Sequence, residues 1–223
     1  MRITVWVTHE VDIQEGLCCG TGLGYLIIWR QQPNGYFDFE EVISKKVGTS
    51  AEIMAISADT TNSVIQLMAG TRDHKYHLSN IFNIQLPTTV PHVVFFQGGI
   101  SFSSVCTMGN HTLHGKDSTI LQSKGTRMMI GAAAMDSNST HFVIDNATIS
   151  FSLHCMDDTA CIKMYDTKSL KTYPKQVTFA EKGRAIVGSS DNRIVHIFNK
   201  VNGDLLQLLQ HSKSGQVQTI AVS

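Results

Sequence analysis

Gln176-Val-Thr-Phe-Ala-Glu-Lys-Gly183, Arg184-Ala-Ile-Val-Gly-Ser-Ser-Asp-Asn192, Arg193-Ile-Val-His-Ile-Phe198, Asn199-Lys-Val-Asn-Gly203 and Asp204-Leu-Leu-Gln-Leu-Leu-Gln-His211 follow one another in the chain. Short apolar pieces, rich in β-branched and aromatic residues, alternate here with turn residues. That punctuation reads as consecutive antiparallel strands joined by tight turns.

Working outward, the same grammar fills the chain. Ile3–Val7, Tyr25–Trp29, Val64–Met68, His92–Phe96 and Ile149–Leu153 are short apolar runs, and between the runs sit Asn-Gly, Gly-Gly, Ser-Asp-Asn and Lys-Ser-Gly clusters. No stretch keeps apolar residues at i, i+3, i+4 and i+7 for three turns, so almost no helix is expected. The class is all-β.

A period lies beneath the pattern. Taking the apolar residue that closes the third strand of each unit gives Trp29, Leu113, Leu153 and Phe198, separated by 84, 40 and 45 residues. The first separation is two steps, with a missing anchor near residues 71–77. A repeat of roughly 40–45 residues is that of a four-stranded propeller blade. The expected blades are 3–47, 51–87, 92–124, 130–168 and 174–212, forming one propeller over 1–223, with a strand at 216–222 opening a further blade.

Bulk properties narrow the function. Of 223 residues, 42% are hydrophobic and 16% charged, enough for a sizeable core and against disorder. Eighteen basic residues balance eighteen acidic ones, which argues against a nucleic-acid groove or a membrane-surface patch. Four prolines against seventeen glycines suit many tight turns. No apolar run approaches the ~20 residues that span a bilayer. The first residues, Met1-Arg2-Ile3-Thr4-Val5-Trp6-Val7, alternate like a strand rather than a signal peptide. With five cysteines lacking zinc-like spacing, this predicts an intracellular protein, cytoplasmic or nuclear. The sequons at Asn110, Asn138 and Asn146 are then turn residues.

The unit at 176–211 resembles a WD repeat: a Gly-Ser-Ser-Asp turn, a strand ending in Phe198, an Asn-Gly hairpin, a last strand and a loop His. Cys19-Gly-Thr-Gly-Leu-Gly-Tyr-Leu-Ile-Ile-Trp29 and Ala69-Gly-Thr-Arg-Asp73 repeat parts of it. Gly22-Leu-Gly-Tyr-Leu-Ile-Ile-Trp-Arg30, Leu86-Pro-Thr-Thr-Val-Pro91 and Pro174-Lys-Gln-Val177 look like the divergent WD-repeat proteins of mushroom-forming fungi, a likeness that adds no activity. The resemblance implies that Asp73 and Asp191 hold their turns, that His211 serves the unit after it, and that Trp29 and Phe198 are structural anchors. It implies a non-enzymatic scaffold that binds proteins or peptides. Such propellers usually have about seven blades, so the resemblance implies a partial or degenerate copy with an open or incomplete ring, its uncovered blade faces inviting self-association.

Sharper chemistry is weaker on every count. Gly20-Thr-Gly-Leu-Gly24 leads into a strand, whereas a phosphate loop must feed a helix. His74/His77 and His111/His114, with His9, Cys18 and Cys19 nearby in type, sit three apart and diverge on a strand. Cys155 and Cys161 flank a hairpin as apolar filler, and Asp157-Asp158 is a solvated turn. Val93-Val94-Phe95-Phe96 reads as a buried strand. No catalytic, cofactor or metal residue is expected. The alternatives are a fragment without independent function and a propeller enzyme with a site in its channel.

Overall fold

A computed structural model describes residues 3–7, 14–33, 38–47, 49, 51–59, 66–73, 75–78, 82–85, 92–95, 101–105, 110–114, 120–125, 130–147, 150–169, 171–211, 217 and 220. Among the described residues, twenty strands fall into five four-stranded sheets, each made of consecutive strands; the first, second, fourth and fifth are antiparallel throughout, and the first two strands of the third pair antiparallel. The first contains β1 (Ile3–Trp6), β2 (Gly16–Gly20), β3 (Tyr25–Gln31) and β4 (Phe39–Lys46). The second contains β5 (Ile53–Asp59), β6 (Gln66–Thr71), β7 (Lys75–Leu78) and β8 (Phe82–Gln85). The third contains β9 (His92–Phe95), β10 (Ser101–Val105), β11 (Asn110–His114) and β12 (Ile120–Gly125). In the fourth are β13 (Ala133–Met135), β14 (His141–Asp145), β15 (Ser150–Cys155) and β16 (Cys161–Asp166). In the fifth are β17 (Val177–Ala180), β18 (Ala185–Gly188), β19 (Ile194–Asn199) and β20 (Leu205–Gln210). The one helical element among the described residues is a 3-10 turn at Glu181–Gly183.

The all-β expectation and the near absence of helix hold. Trp29, Leu113, Leu153 and Phe198 all lie in third strands. The strand expected at 216–222 falls largely outside the described residues, of which only Val217 and Ile220 belong to it.

The chain divides into two compact units, residues 1–105 with 111–123 and residues 106–110 with 124–223. Within the first, β1 and β2 lie against β5, and β5 and β6 lie against β9. Val7, Cys18, Ile53, Ile56, Leu67 and Ala69 form its described core. Within the second, β13 and β14 lie against β17, around Ala132, Val143, Phe151, Leu153, Tyr165, Val177, Ile186 and Phe198. Removing each large apolar side chain of this set from water is worth about 1.5–3 kcal/mol as an upper estimate.

Register repeats as well as strand order. The pairing of third with fourth strand slips by one residue at Ile28/Trp29, at Leu153/His154 and at Ile197/Phe198. The extra residue on the fourth strand is Val42, Ile162 or Leu206, each about half exposed. A bulge in the same place in three sheets makes Trp29, His154 and Phe198 equivalent. Leu153 therefore stands one residue before the equivalent anchor. The apolar criterion chose it because the true equivalent is a histidine, stacked on Phe142 at 5.0 Å.

At Gly188 the fifth sheet lies close against Phe151 of the fourth. A Cβ there would stand 1.9 Å from Cε2 of the fully buried Phe151. Gly188→Ala is therefore expected to cost about 1–3 kcal/mol through overpacking, read as a lower urea midpoint with an unchanged slope. Adding Phe151→Leu, which removes the clashing ring edge, should recover part of that loss relative to the sum of the two single changes.

Candidate functional site

The candidate site is the set of turns joining second to third strands, together with the segment that leads into the next sheet. In the first unit that lead-in is residues 47–52. Val47 N donates to Gly24 O at 2.7 Å and Ile53 N to Thr21 O at 3.1 Å, tying it to the β2–β3 turn of the first sheet. On its other side Thr49 Oγ1 donates to Asp73 Oδ2 at 2.8 Å, and Arg72 N to Glu52 O at 2.8 Å. Arg72 and Glu52 also form an ion pair of 2.8 Å. The glycine-rich run thus forms a β-turn, with Tyr25 N bonded to Thr21 Oγ1 at 2.9 Å, and feeds a strand.

The second unit builds the same clasp at residues 167–176. Lys171 N donates to Asp191 Oδ2 at 2.7 Å, Gln176 N to Ser189 Oγ at 2.8 Å and Ser189 N to Gln176 O at 2.9 Å. Facing the fourth sheet, Lys175 N donates to Asp145 Oδ2 at 2.6 Å. Farther along, Val217 N donates to Ser190 O at 3.4 Å, a third instance of an amide meeting the turn of the preceding sheet.

Asp73 and Asp191 both sit in second-to-third-strand turns and each receives a bond from the lead-in segment; Thr71 Oγ1 also donates to Asp73 Oδ1 at 2.5 Å. The donors from the lead-in segments are a hydroxyl, that of Thr49, and a backbone amide, that of Lys171. Trp29 is half-buried in β3. Phe198 is buried, tilted against Tyr165 with centroids 5.4 Å apart and stacked on His196 at 5.9 Å. His211 is exposed at the end of β20, and its amide donates to Arg193 O at 2.9 Å.

One wholly buried ion pair leaves no distinct mark in the sequence. The side chains of Lys175 and Asp145 are both wholly buried, with Nζ 3.3 Å from Oδ1. Asp145 Oδ1 also accepts Ala147 N at 3.0 Å. Burial pushes the Asp145 carboxyl up, while the Lys175 amide and ammonium and the Ala147 amide pull it back. Gly131 makes room: a Cβ there would lie 2.1 Å from Asp145 Oδ2. Tyr173 covers Lys175, whose Nζ is 5.4 Å from the ring centroid. Burial, with the charges of Asp191 and Asp145, pushes the Tyr173 hydroxyl up to about 12.

Two further clusters join strands inside the second unit. Asp136, in the β13–β14 turn, accepts Thr140 N and His141 N on Oδ1, at 2.9 and 3.1 Å. Its Oδ2 takes Lys200 Nζ at 2.8 Å, carrying the bond from the fourth sheet to the β19–β20 turn. In the fourth sheet, His154 lies 3.1 Å from Thr159 O and 3.0 Å from Ser152 Oγ, and Ser152 Oγ donates to Asn146 Oδ1 at 3.0 Å.

Asn146 is wholly buried in that chain, so its sequon is inaccessible in the folded state, whereas Asn138 is exposed in the β13–β14 turn. Asn110 opens β11. Cys18 is buried in β2, its thiol raised to about 12 by burial and by Cys19 beside it, which keeps it protonated at neutral pH. Cys155 ends β15 and Cys161 begins β16, with Asp157-Asp158 in the turn between. His77 is on β7 and His111 and His114 are on β11, while His9 and His74 lie outside the described residues. Among the described residues, no three His, Cys, Asp or Glu side chains gather to hold a metal ion. None of their helices is long and apolar enough to cross a membrane.

Lys175→Met should cost about 3–5 kcal/mol, because it leaves Asp145 charged and unpaired in the interior. Asp145→Asn in the same chain should restore much of that in urea melts, since the amide oxygen still accepts backbone amides. The second expectation concerns acid. Burial alone would push the Asp136 carboxyl up, but the bonds from Lys200 and His141 outweigh it and hold it at about 2, below its ordinary 3.8. A depressed carboxyl stabilises the fold above its unfolded value and loses that contribution as pH falls toward 2. The stability gap between wild type and Asp136→Asn should thus be about 2 kcal/mol larger at neutral pH than near pH 2. A gap that does not change with pH would show that the Lys200 bond leaves the carboxyl unshifted.

No protein-family model matches the chain, and no curated protein matches it significantly.

Proposed function

We propose that this chain is a WD-repeat-type propeller module, without catalytic activity, that binds other proteins or peptides through its inter-strand turns. Several features support the reading. Five successive four-stranded sheets recur at the expected spacing, and first strands of successive sheets lie together within each unit. That arrangement is consistent with blades set side by side.

The observation that carries the proposal is the doubled clasp of each lead-in segment. Thr49, Glu52 and Ile53 fasten one turn on each side in the first unit, and Lys171, Lys175 and Gln176 do so in the second. Loops fixed this way keep their shape without a ligand, so little ordering entropy opposes binding. Their buried polar groups are spent on one another, which suits a rigid frame better than a reacting centre. Next to the clasped atoms, the same turns expose Leu23, at 70%, and the Arg72 side chain, at 61%. An apolar side chain and a guanidinium on rigid turns are the kind of anchors that protein surfaces use.

Affinity capture with the purified chain from lysate of its own source tests this. A discrete partner retained by wild type and lost with Leu23→Asp, at an unchanged melting temperature, is the expected result. Reproducible absence of any partner, or capture indifferent to Leu23→Asp, would contradict it.

A further inference from the structure

Three groups compete for one oxygen at the end of the fourth sheet. Asp136 Oδ2 lies 2.8 Å from Lys200 Nζ, 3.1 Å from His141 Nδ1 and 3.1 Å from Thr140 Oγ1. The Asp136 carboxylate is buried, whereas 31% of the His141 side chain meets water, so protons reach the ring without unfolding.

The ring nitrogen holds an ambiguous place. Lys200 Nζ stands 3.2 Å from His141 Nδ1. The same nitrogen is thus within bonding distance of an ammonium, which can only donate, and of a carboxylate, which can only accept. One charge state cannot serve both. With the ring neutral and its proton on Nε2, Nδ1 is an acceptor, and Lys200 bridges it to Asp136. With a proton on each ring nitrogen, Nδ1–H donates to Asp136 or to Thr140 Oγ1, 2.8 Å away, and offers Lys200 nothing.

We propose that His141 is a proton-operated latch on Lys200: the neutral imidazole holds the ammonium at Asp136, and the imidazolium drives it off into water. Asp136 and Thr140 lie in the β13–β14 turn and His141 opens β14, whereas Lys200 comes from the β19–β20 turn of the fifth sheet. Protonation therefore replaces a bond between sheets by a bond within one. Two cations at this separation repel, and because the site is partly open to water the repulsion weakens as salt rises.

The surroundings leave the exchange to these groups. Opposite His141 on β15 is Cys155, followed in the next turn by the exposed Asp157 and Asp158, carboxylates that favour a charged ring. Phe179 of β17 faces Lys200, whose Nζ is 5.3 Å from the ring centroid. A Cβ on Gly183 of the neighbouring 3-10 turn would lie 3.8 Å from Asp136 Cβ. In that turn Glu181 pairs with Arg184 at 3.8 Å, and Lys182 is exposed. The backbone of the β19–β20 turn is held separately, since Lys200 N donates to Arg184 O at 3.0 Å and Lys200 O accepts the Tyr165 hydroxyl at 2.8 Å. What moves is one positive charge, at a turn that also exposes Val201.

A double-mutant cycle read by urea melts of the whole chain tests the latch. Asp136→Asn and Lys200→Met, singly and together, give the coupling at about pH 8 and about pH 5.5, an interval in which histidines generally take up a proton. Asp136 stays ionised throughout, its carboxyl being held at about 2. At low salt the coupling constant should fall roughly threefold or more on acidification. In a His141→Asn background the amide oxygen keeps an acceptor near the Nδ1 position but takes up no proton, so the coupling should be the same at both pH values. A coupling that ignores pH in the wild type, or falls equally in the His141→Asn background, overturns the proposal. Nitrogen-15 shifts of the His141 ring in the unsubstituted chain give an independent reading. An unprotonated Nδ1 in the neutral ring supports the latch, and a neutral ring with its proton on Nδ1 contradicts it.

Discussion

Backbone amides at the lead-ins to the second and fifth sheets, bonded to the sheet before, are the constraint on which the rest depends. A four-stranded antiparallel sheet has two faces, and a lone one leaves apolar area in water. Stacking the next sheet against it covers one face, but stacking alone fixes neither angle nor register. The bonds from Ile53 to Thr21 and from Lys175 to Asp145 supply that definition, one in each unit. The first shares Thr21 O with the Gly24 amide, and the second joins the Ala147 amide on the Asp145 carboxylate.

The second unit adds charge to the same geometry. Lys175 and Asp145 lie wholly inside, where a broken pair costs far more than an intact pair gains. Such a pair acts by exclusion: misregistered packing would strand an ammonium or a carboxylate in apolar surroundings. Asp136 and Lys200 make a comparable bond between the fourth sheet and the β19–β20 turn, but nearer to water, with 16% of the lysine side chain exposed. Tyr165 of the aromatic core donates its hydroxyl to Lys200 O at 2.8 Å, which joins the packing to the second of these sites.

Much of the fold was legible because its signals are local. Turn residues between short apolar runs mark strands, and Trp29 and Phe198 mark third strands without any knowledge of partners. The fourth-sheet anchor was read one residue early, since apolar character favours Leu153 and the bulge that promotes His154 is a property of pairing. The turn acids at Asp73 and Asp191 stand beside Gly-Thr or Gly-Ser, which draws the eye. Asp145 ends an apolar run, Phe142-Val-Ile-Asp145, with no glycine beside it. Lys175 looks like any solvated lysine, because its partner lies thirty residues earlier in sequence. Buried ion pairs of this kind are written in three dimensions, and the one sequence hint was a charge set among residues otherwise headed for a core.

Residue-resolved amide hydrogen exchange on the intact chain is the most direct measurement of the clasp. The amides of Ile53 and Lys175 precede or begin strands and would exchange at loop rates if nothing held them. Held by the clasp, they should exchange as slowly as core amides such as those of Val143 and Ile186. Rapid exchange at both positions, with the strands themselves protected, would contradict it and leave the sheets as neighbours held only by apolar contact.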